Sequence, residues 1–272
     1  QVRHEILEVK RDNQTIGRLY FQIMPFKGSE LRSYIPGQEA PCILNKTMEA
    51  IVDLALERVN WNLAVLGNVF ITGDNGQYWS EELKATERWE IINAATNFLK
   101  KQTKIDAFLI SDLRKENLVG KELLTYNSYR MFEVEPDLLF QIDKDWKNFN
   151  DYLANIISKY RVRTKKVLEK SDSLVIQDFN ASDLENRKVE IYKLYKNVLD
   201  SAAFKLAEIQ DNYFHDFKLA YPQQFVVRGF FLEDKLVGVI SYFIENKALR
   251  INFVGLDYSN NKEHCIYQRI LY

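Results

Sequence analysis

The sequence has little cysteine, since Cys42 and Cys265 are the only two in 272 residues and lie far apart. This excludes a disulfide framework and a CxxC redox motif, and it favours a reducing, cytoplasmic compartment. No apolar run approaches the ~20 residues that a membrane-spanning helix needs, and no charged-then-apolar leader opens the chain. A strong excess of one charge is also absent: the formal net charge of -1 predicts no global attraction to nucleic acid or membrane.

The signatures of several large enzyme classes are missing as well. No GxSxG, HExxH, Walker or GxGxxG pattern occurs. His4 and His215 have no carboxylate or cysteine at ligand spacing, so we predict no metal site, and we expect no tightly bound cofactor. What is present, 46% hydrophobic and 28% charged residues, indicates a soluble globular protein with one large domain or two smaller ones.

The most informative stretch is the last one, from Phe225 to Tyr272. Apolar, β-branched and aromatic runs separated by short polar turns predict three antiparallel strands, at Phe225–Phe231, Leu236–Ile244 and Leu249–Gly255. A polar loop, Ser259–His264, and a helical segment, Cys265–Tyr272, follow them. Backbone N–H groups of such a loop and the start of the helix both favour an anion, so this arrangement predicts a site for a phosphate-bearing donor.

This succession resembles the core of the GNAT acyltransferase superfamily, in which a strand–loop–helix after a meander binds the pyrophosphate of acyl-coenzyme A. The family loop is Arg/Gln-x-x-Gly-x-Gly/Ala; here the place is taken by Asn260–Cys265, and neither glycine is present. The resemblance implies donor binding by Asn260, Asn261 and Lys262, and the alternative is an ordinary strand-to-helix turn. The catalytic candidates are the acid–base-capable residues nearest the loop, His264, Glu263 and Tyr267. For each of them the alternative is a structural role.

A second resemblance lies between Asp145 and Lys170, where apolar residues recur at helical spacing and basic residues follow. The stretch is similar to the start of the second half of Fem-type peptidyltransferases, tandem GNAT-like proteins that add amino acids to cell-wall precursors. It implies that Lys159, Arg161 and Arg163 bind a phosphate-rich donor or substrate. The alternative is a solvated helix end. The matching residues are Trp146, Tyr152, Lys159, Tyr160, Arg161, Arg163, Lys165 and Lys166.

The first half of the chain repeats the architecture of the second, though not its residues. We therefore predict an α/β (α+β) fold of two tandem GNAT-like halves, residues 1–144 and 145–272, each a mixed, mostly antiparallel sheet flanked by helices. Because the chain starts at Gln1 and stops inside a helical pattern, we expect a longer protein and an incomplete second half. The elements predicted in the first half are strands at Ile6–Val9, Ile16–Ile23, Trp61–Thr72, Ile105–Ile110, Tyr129–Glu135 and Leu138–Ile142, and helices at Met48–Asn60 and Ala85–Lys101.

The function that these resemblances imply is acyl or aminoacyl transfer to the amine of a small molecule or peptide. Acyl-coenzyme A or an aminoacyl-tRNA end is the expected donor substrate. Arg228, in an otherwise apolar strand, is a candidate for meeting a carboxylate of substrate or protein, and outward alternation is the alternative. Two other classes stay open: a binding module that kept the GNAT shape and lost the donor loop, and a homodimer formed through exposed strand edges.

Overall fold

The computed structural model describes residues 2–28, 56–73, 76–113, 129–131, 138–202 and 206–272. By its internal contacts the chain divides into two units, here called unit 1 and unit 2. Unit 1 is Gln1–Glu133 with Ala203–Ala207, and unit 2 is Val134–Ala202 with Glu208–Tyr272. Each unit has its own β-sheet with helices, which confirms the predicted mixed α/β class. None of the described helices combines the length and the apolar character needed to cross a membrane.

The sheet of unit 1 starts with a long hairpin. A tight turn at Asp12 and Asn13, both at positive φ, joins its two strands and suits the right-handed twist of a hairpin. The third strand continues the antiparallel order, and the last strand is parallel to it, so the sheet order is β1-β2-β3-β5 with β4 on the side of β2. The elements are β1 Arg3–Arg11, β2 Gln14–Lys27, β3 Asn60–Leu66, β4 Gln77–Trp79, α1 Ala85–Gln102 and β5 Ala107–Ile110.

The two faces of this sheet have separate apolar clusters, because side chains alternate along each strand. On one face α1 contributes Trp89, Ile92 and Leu99, which pack with Leu19 and Phe21 of β2. The other face carries a smaller cluster, which consists of Met24, Phe26, Leu63 and Val65 with the partly buried Val2, Val69, Ala107, Leu109, Leu206 and Ala207.

Unit 2 contains an antiparallel sheet in the order β6-β7-β8-β9. Two-residue turns at Glu233–Asp234 and Asn246–Lys247, all four residues at positive φ, join the last three strands. The predicted three-stranded meander is therefore confirmed. The elements are α2 Phe149–Asn155, α3 Ser158–Lys170, β6 Val175–Asp178, α4 Ala181–Asn186, α5 Lys188–Ser201, α6 Tyr213–Ala220, β7 Phe225–Leu232, β8 Lys235–Glu245, β9 Ala248–Leu256, α7 Tyr258–His264 and α8 Ile266–Leu271.

Helices cover both faces of the unit 2 sheet. At Gly238 of β8, the neighbouring atoms belong to Ile266 and Ile270 of α8. At Gly255 of β9, they belong to the backbone of α5 and to Val239, whose side chain points away from that of residue 238. Helix α8 and helix α5 therefore lie on opposite faces, and α6 shares the α5 face, since Phe217 and Phe243 form a ring contact there.

Several predicted elements are wrong in extent or in type. Residues Ser259–His264 form the helix α7, because Asp257 caps a helix directly after β9. The strand expected at Trp61–Thr72 ends at Leu66. The apolar helix pattern between Asp145 and Lys170 is divided at Ile156 into α2 and α3.

Residues Leu138–Ile142 do not form the predicted strand, and Leu138 is 96% exposed. An apolar run alone does not select a strand when no neighbouring strand pairs with it. Part of two other predictions, the helix at Met48–Asn60 and the strand at Tyr129–Glu135, lies outside the described residues; the described Tyr129–Met131 are not in a strand.

Candidate functional site

A β-bulge interrupts β9 in unit 2. Ile240 pairs with Val254 and Tyr242 with Ile251, so Ser241 alone on β8 faces two residues on β9, Asn252 and Phe253. Bulges of this kind re-aim side chains, bend the strand and are over-represented next to active sites. The sequence shows a faint sign of it, since Asn252 is a polar residue between apolar neighbours.

Three polar side chains converge on this bulge. The Tyr213 hydroxyl donates to Asn252 Oδ1 at 3.1 Å, and Ser241 Oγ donates to the same oxygen at 3.3 Å. Ser241 is fully buried, and its Oγ accepts from the backbone N–H of Phe253 at 3.1 Å, which replaces a ladder bond that the bulge removes. We call Tyr213, Ser241 and Asn252 the bulge cluster. The sequence analysis did not identify its members as functional residues.

Aromatic rings surround the bulge cluster on the α6 face. The Tyr213 ring lies 5.5 Å from Phe253 and 4.5 Å from Phe217, centroid to centroid. Burial raises the pKa of Tyr213 well above its ordinary value, because a phenolate would lose its hydration there. The hydroxyl therefore keeps its proton throughout the physiological range, so it can donate a hydrogen bond here but is a weaker acid than an exposed tyrosine.

The predicted donor-binding residues lie on the short helix α7. Asp257 Oδ1 accepts from the Ser259 N–H at 3.0 Å and from its hydroxyl at 2.6 Å, and Asn260 Nδ2 donates to Asp257 Oδ2 at 3.2 Å. Lys235 Nζ lies 2.7 Å from the same carboxylate. Burial alone would raise the pKa of Asp257, but the bonds from Lys235 and Ser259 outweigh it and lower the pKa to about 2. A carboxylate therefore takes the helix start, where the donor phosphate was predicted.

The start of the next helix is also capped by the protein itself. Asn261 Oδ1 accepts from the Tyr267 N–H at 2.8 Å, across the left-handed residue Cys265. Of the predicted binding residues in this stretch, Asn260 and Asn261 thus have structural bonds, whereas Lys262 is exposed. Whether any of them binds a donor stays a prediction.

The predicted catalytic residues lie at the junction of α7 and α8. His264 Nδ1 is 3.4 Å from Ser173 Oγ, in the segment that follows the basic helix α3, while Glu263 and Tyr267 are exposed. The fold therefore brings His264 next to the end of α3. Helix α8, which carries Tyr267, lies on the face opposite α6, so this set and the bulge cluster occupy different sides of the sheet.

The basic helix α3 exposes Lys159 and Arg163 to solvent, and Arg161 is half-buried. Arg161 Nη2 donates to the Ile156 carbonyl at 3.2 Å, whereas its buried Nε has no hydrogen-bond partner among the described residues. A buried donor without a partner is costly, and it is often satisfied by a water or an ion.

Arg228 meets a carboxylate of the protein itself. Its Nε and Nη2 donate to the two oxygens of Asp178 at 2.6 and 2.9 Å, a bidentate pair between facing residues of β6 and β7. The bond from Arg228 lowers the pKa of Asp178, and the same bond raises the pKa of Arg228. This pairing occupies the guanidinium that the sequence put forward for substrate.

An open groove of about 630 Å³ lies between α4 and α5, and none of the predicted site residues lines it. Its wall contains Arg187, which pairs with Glu190 at 3.0 Å. The groove therefore gives no support to the predicted site.

Comparisons with known proteins found matches among solved structures. No protein-family model matches the chain, and no curated protein matches its sequence. The crystal structure of FemX aligns with 100% of this chain and 76% of its own, at a TM-score of 0.49 and 10% identity. An aminoglycoside acetyltransferase from an uncultured soil metagenomic sample, in complex with trehalose, aligns with 36% of this chain and 70% of its own, at a TM-score of 0.26 and 20% identity. At these values neither neighbour assigns the chain to a family or transfers a function to it.

Proposed function

We propose that the protein is a transferase that moves an acyl or aminoacyl group from an activated donor to an amine. The single observation that carries this proposal is the bulge in β9 with its cluster of Tyr213, Ser241 and Asn252. A polar cluster on an otherwise apolar sheet face needs dedicated partners, and such irregularities concentrate at active sites. Direct acyl transfer requires positioned groups and no nucleophile motif, which agrees with the lack of such motifs in the sequence.

Acyl transfer to an amine requires few catalytic groups. The amine nitrogen attacks the donor carbonyl carbon, the tetrahedral intermediate collapses, and the bond to the leaving thiolate or ribose oxygen breaks. The amine loses a proton to a base, and the leaving group gains one from an acid. In this proposal the Tyr213 hydroxyl donates to the leaving atom, and its raised pKa suits the basic ribose oxygen of an aminoacyl-tRNA better than a thiolate. His264, Glu263 and Tyr267, on the other side of the sheet, are the competing acid–base set.

The donor is proposed to be held through α3 and not through α7. Helix α3 adjoins α7 and α8 through the Ser173–His264 and Thr164–Tyr272 contacts, so a donor bound there reaches the bulge cluster only where its acyl-bearing end passes the last described strand, β9. Asp257 opposes a phosphate at the start of α7, whereas Lys159 and Arg163 are exposed and the buried Nε of Arg161 has no hydrogen-bond partner in the described part of the chain. These three cations are spread along a helix, so they suit the successive phosphates of an aminoacyl-tRNA end better than the compact pyrophosphate of coenzyme A. Acyl-coenzyme A remains the other donor under test.

A second candidate is a binding module that kept the fold without catalysis. The observation in its favour is that the protein's own side chains cap the helix starts after β9, through Asp257 and Asn261. The aromatic rings of Tyr213 and Phe214 also cover Phe253 on one face of β9. Both features are expected if no donor phosphate binds there.

Thermal unfolding with candidate donors separates these two functions. The ligands are acetyl-coenzyme A, coenzyme A and an aminoacylated RNA minihelix, each also incubated with an amine and analysed for product by mass spectrometry. A donor at a hundred times its dissociation constant stabilises the folded state by ~2.7 kcal/mol. We expect stabilisation by the minihelix that a double replacement, Lys159→Ala with Arg163→Ala, reduces.

The matched control is Lys247→Ala, in the exposed turn between β8 and β9, which should leave donor binding unchanged. Tyr213→Phe should reduce product formation while preserving donor binding, and His264→Gln should leave both near wild type. The opposite pattern would move the acid–base role to α7 and α8. Absence of stabilisation by every donor would contradict the transferase and leave the binding module.

A further inference from the structure

Unit 1 contains a polar chain that the proposed function does not use. Gln22 is 1% exposed, although its neighbours in β2, Phe21 and Ile23, belong to the apolar core. An amide buried in a strand is costly unless both of its ends are hydrogen-bonded. Here both ends are: Gln22 Oε1 accepts from the Val69 N–H at 2.8 Å, and Gln22 Nε2 donates to the Tyr20 hydroxyl oxygen at 3.1 Å.

This series of hydrogen-bonded side chains continues from Tyr20 to solvent. The Tyr20 hydroxyl lies 2.6 Å from His4 Nδ1, and the two rings are stacked at an angle of 16°. His4 is exposed, whereas Tyr20 is half-buried. Register places His4 directly opposite Gln22 across the β1–β2 pair, so one buried residue anchors a tyrosine–histidine pair at the surface.

The bonds in this chain have a direction. A backbone N–H can only donate, so the Val69 amide fixes the orientation of the Gln22 side chain, whose NH₂ then donates to Tyr20. The Tyr20 hydroxyl has one proton, and in the arrangement that continues the direction of the chain it donates this proton to His4 Nδ1. The remaining imidazole proton is then on Nε2. Aligned hydrogen bonds polarise one another, and the positive end of this chain is the Nε2–H of His4.

The location of the chain also favours a ligand. Gly67, at φ 136°, turns the backbone after the end of β3, and the Val69 N–H then faces Gln22. This is the carboxyl end of the parallel pair β3–β5, the edge of an α/β sheet at which ligands commonly bind. On the same sheet face as Tyr20, two residues earlier in β2, Arg18 adds a guanidinium that is 61% exposed and lies 3.3 Å from Glu8.

We propose that His4 and Tyr20, anchored by Gln22, form a binding site in unit 1 for a small carboxylate. The His4 Nε2–H donates to the carboxylate, and Arg18 contributes positive charge from the neighbouring position. Burial raises the pKa of Tyr20, so its hydroxyl stays protonated and the chain keeps its direction. This proposal does not depend on the transferase proposed for unit 2, and it is tested separately.

Sodium acetate is the probe, titrated into the full chain at constant ionic strength, with sodium chloride and sodium phosphate as parallel titrations. The imidazole and tyrosine ring signals are followed by NMR. The imidazole signals can be assigned readily because the protein has three histidines. We expect a saturable shift of the His4 and Tyr20 signals with acetate, and a linear, unsaturated response to chloride.

Two variants and a control test the chain. Tyr20→Phe removes one hydroxyl and should weaken acetate binding about three- to tenfold, read at His4. His4→Gln should abolish the saturable shift of Tyr20. Tyr78→Phe, on the same face opposite Arg18, removes a hydroxyl outside the chain and should bind acetate like wild type. Acetate shifts that match chloride, saturation by phosphate alone, or wild-type binding by Tyr20→Phe would each overturn the proposal.

Discussion

The two units use the same succession of a hairpin, a third strand and a helix, but they differ in what separates strand from helix. In unit 1 the segment from Gly67 to Lys84 lies between β3 and α1 and contains β4, whereas in unit 2 Asp257 alone lies between β9 and α7. In both, a carboxylate takes the helix start: Glu87 accepts from the Lys84 N–H at 3.0 Å, and Asp257 accepts from the Ser259 N–H at 3.0 Å. Both helix starts are therefore used for capping, and the difference between the units lies in the strand edge.

The candidate sites of the two units differ in the strand next to which they lie. In unit 1, β3 has the parallel neighbour β5, and the polar chain from Gln22 to His4 lies at the carboxyl end of that pair. In unit 2, β9 is the last strand of the sheet among the described residues, and its irregularity is the bulge at Asn252. The same order of elements therefore does not place polar groups in the same positions, because register and bulges decide which side chains converge.

The largest expected effect is loss of a core ring in either unit. Phe21→Ala in unit 1 and Phe225→Ala in unit 2 should each reduce the free energy of unfolding by about 3–5 kcal/mol, since both side chains are fully buried. Hydrogen exchange by mass spectrometry measures the protection of each sheet. If the units unfold separately, each variant lowers protection in its own unit only; equal loss in both units would contradict that independence.

A close approach of backbone to sheet gives the next effect. A Cβ on Gly255 would lie 2.7 Å from the Tyr195 N and 2.8 Å from the Leu194 carbonyl carbon, which are backbone atoms of α5. Gly255→Ala should therefore cost about 1–3 kcal/mol in chemical denaturation.

The matched control is Gly238→Ala, whose added Cβ meets methyl groups of the Ile266 and Ile270 side chains at 2.9 and 3.0 Å instead of backbone atoms. Because side chains yield more readily than helix backbone, its cost should be smaller. Equal costs at the two glycines would show that α5 moves as readily as α8.

The Asp257 carboxylate, which accepts from Lys235 and caps α7, should contribute a smaller, pH-dependent amount. The pKa of Asp257 is lowered from 3.8 to about 2, so its stabilising effect is present above pH 3.8 and is lost as pH falls towards 2. That difference corresponds to roughly 2 kcal/mol. Urea unfolding of the wild type and of Asp257→Ala across this window should show the two stabilities converging at low pH. A constant difference between them would contradict the capping interpretation.

The smallest effect is expected for the Arg228–Asp178 pair. The two side chains are 41% and 53% exposed, and solvent screens pairs of this kind. A double-mutant cycle with Arg228→Gln and Asp178→Asn should give a coupling energy of less than about 1 kcal/mol. A much larger coupling would indicate that this pair organises β6 and β7 beyond its local contact.

The sequence predicted the hairpins and the long helix because their signals are local. Alternating apolar residues on either side of Asp12–Asn13, Glu233–Asp234 and Asn246–Lys247 define both the strands and their turns, and the apolar stripe from Ala85 gives α1 to within one residue. It missed the helix α7, since Ser259–His264 has the composition of a loop and only the cap at Asp257 makes it helical.

The same contrast, between local sequence signals and contacts formed only in the fold, applies to the candidate sites. By itself, the sequence determined the mixed α/β class, the meander and the basic helix α3, all of which follow from hydrophobic period and charge along the chain. Only the tertiary structure decided that Arg228 is held by Asp178, that Ser241 and Tyr213 meet at Asn252, and that Gln22 links Val69 to Tyr20 and His4. The physical reason is that these contacts join residues distant in sequence through strand register and a bulge, and no local pattern encodes either.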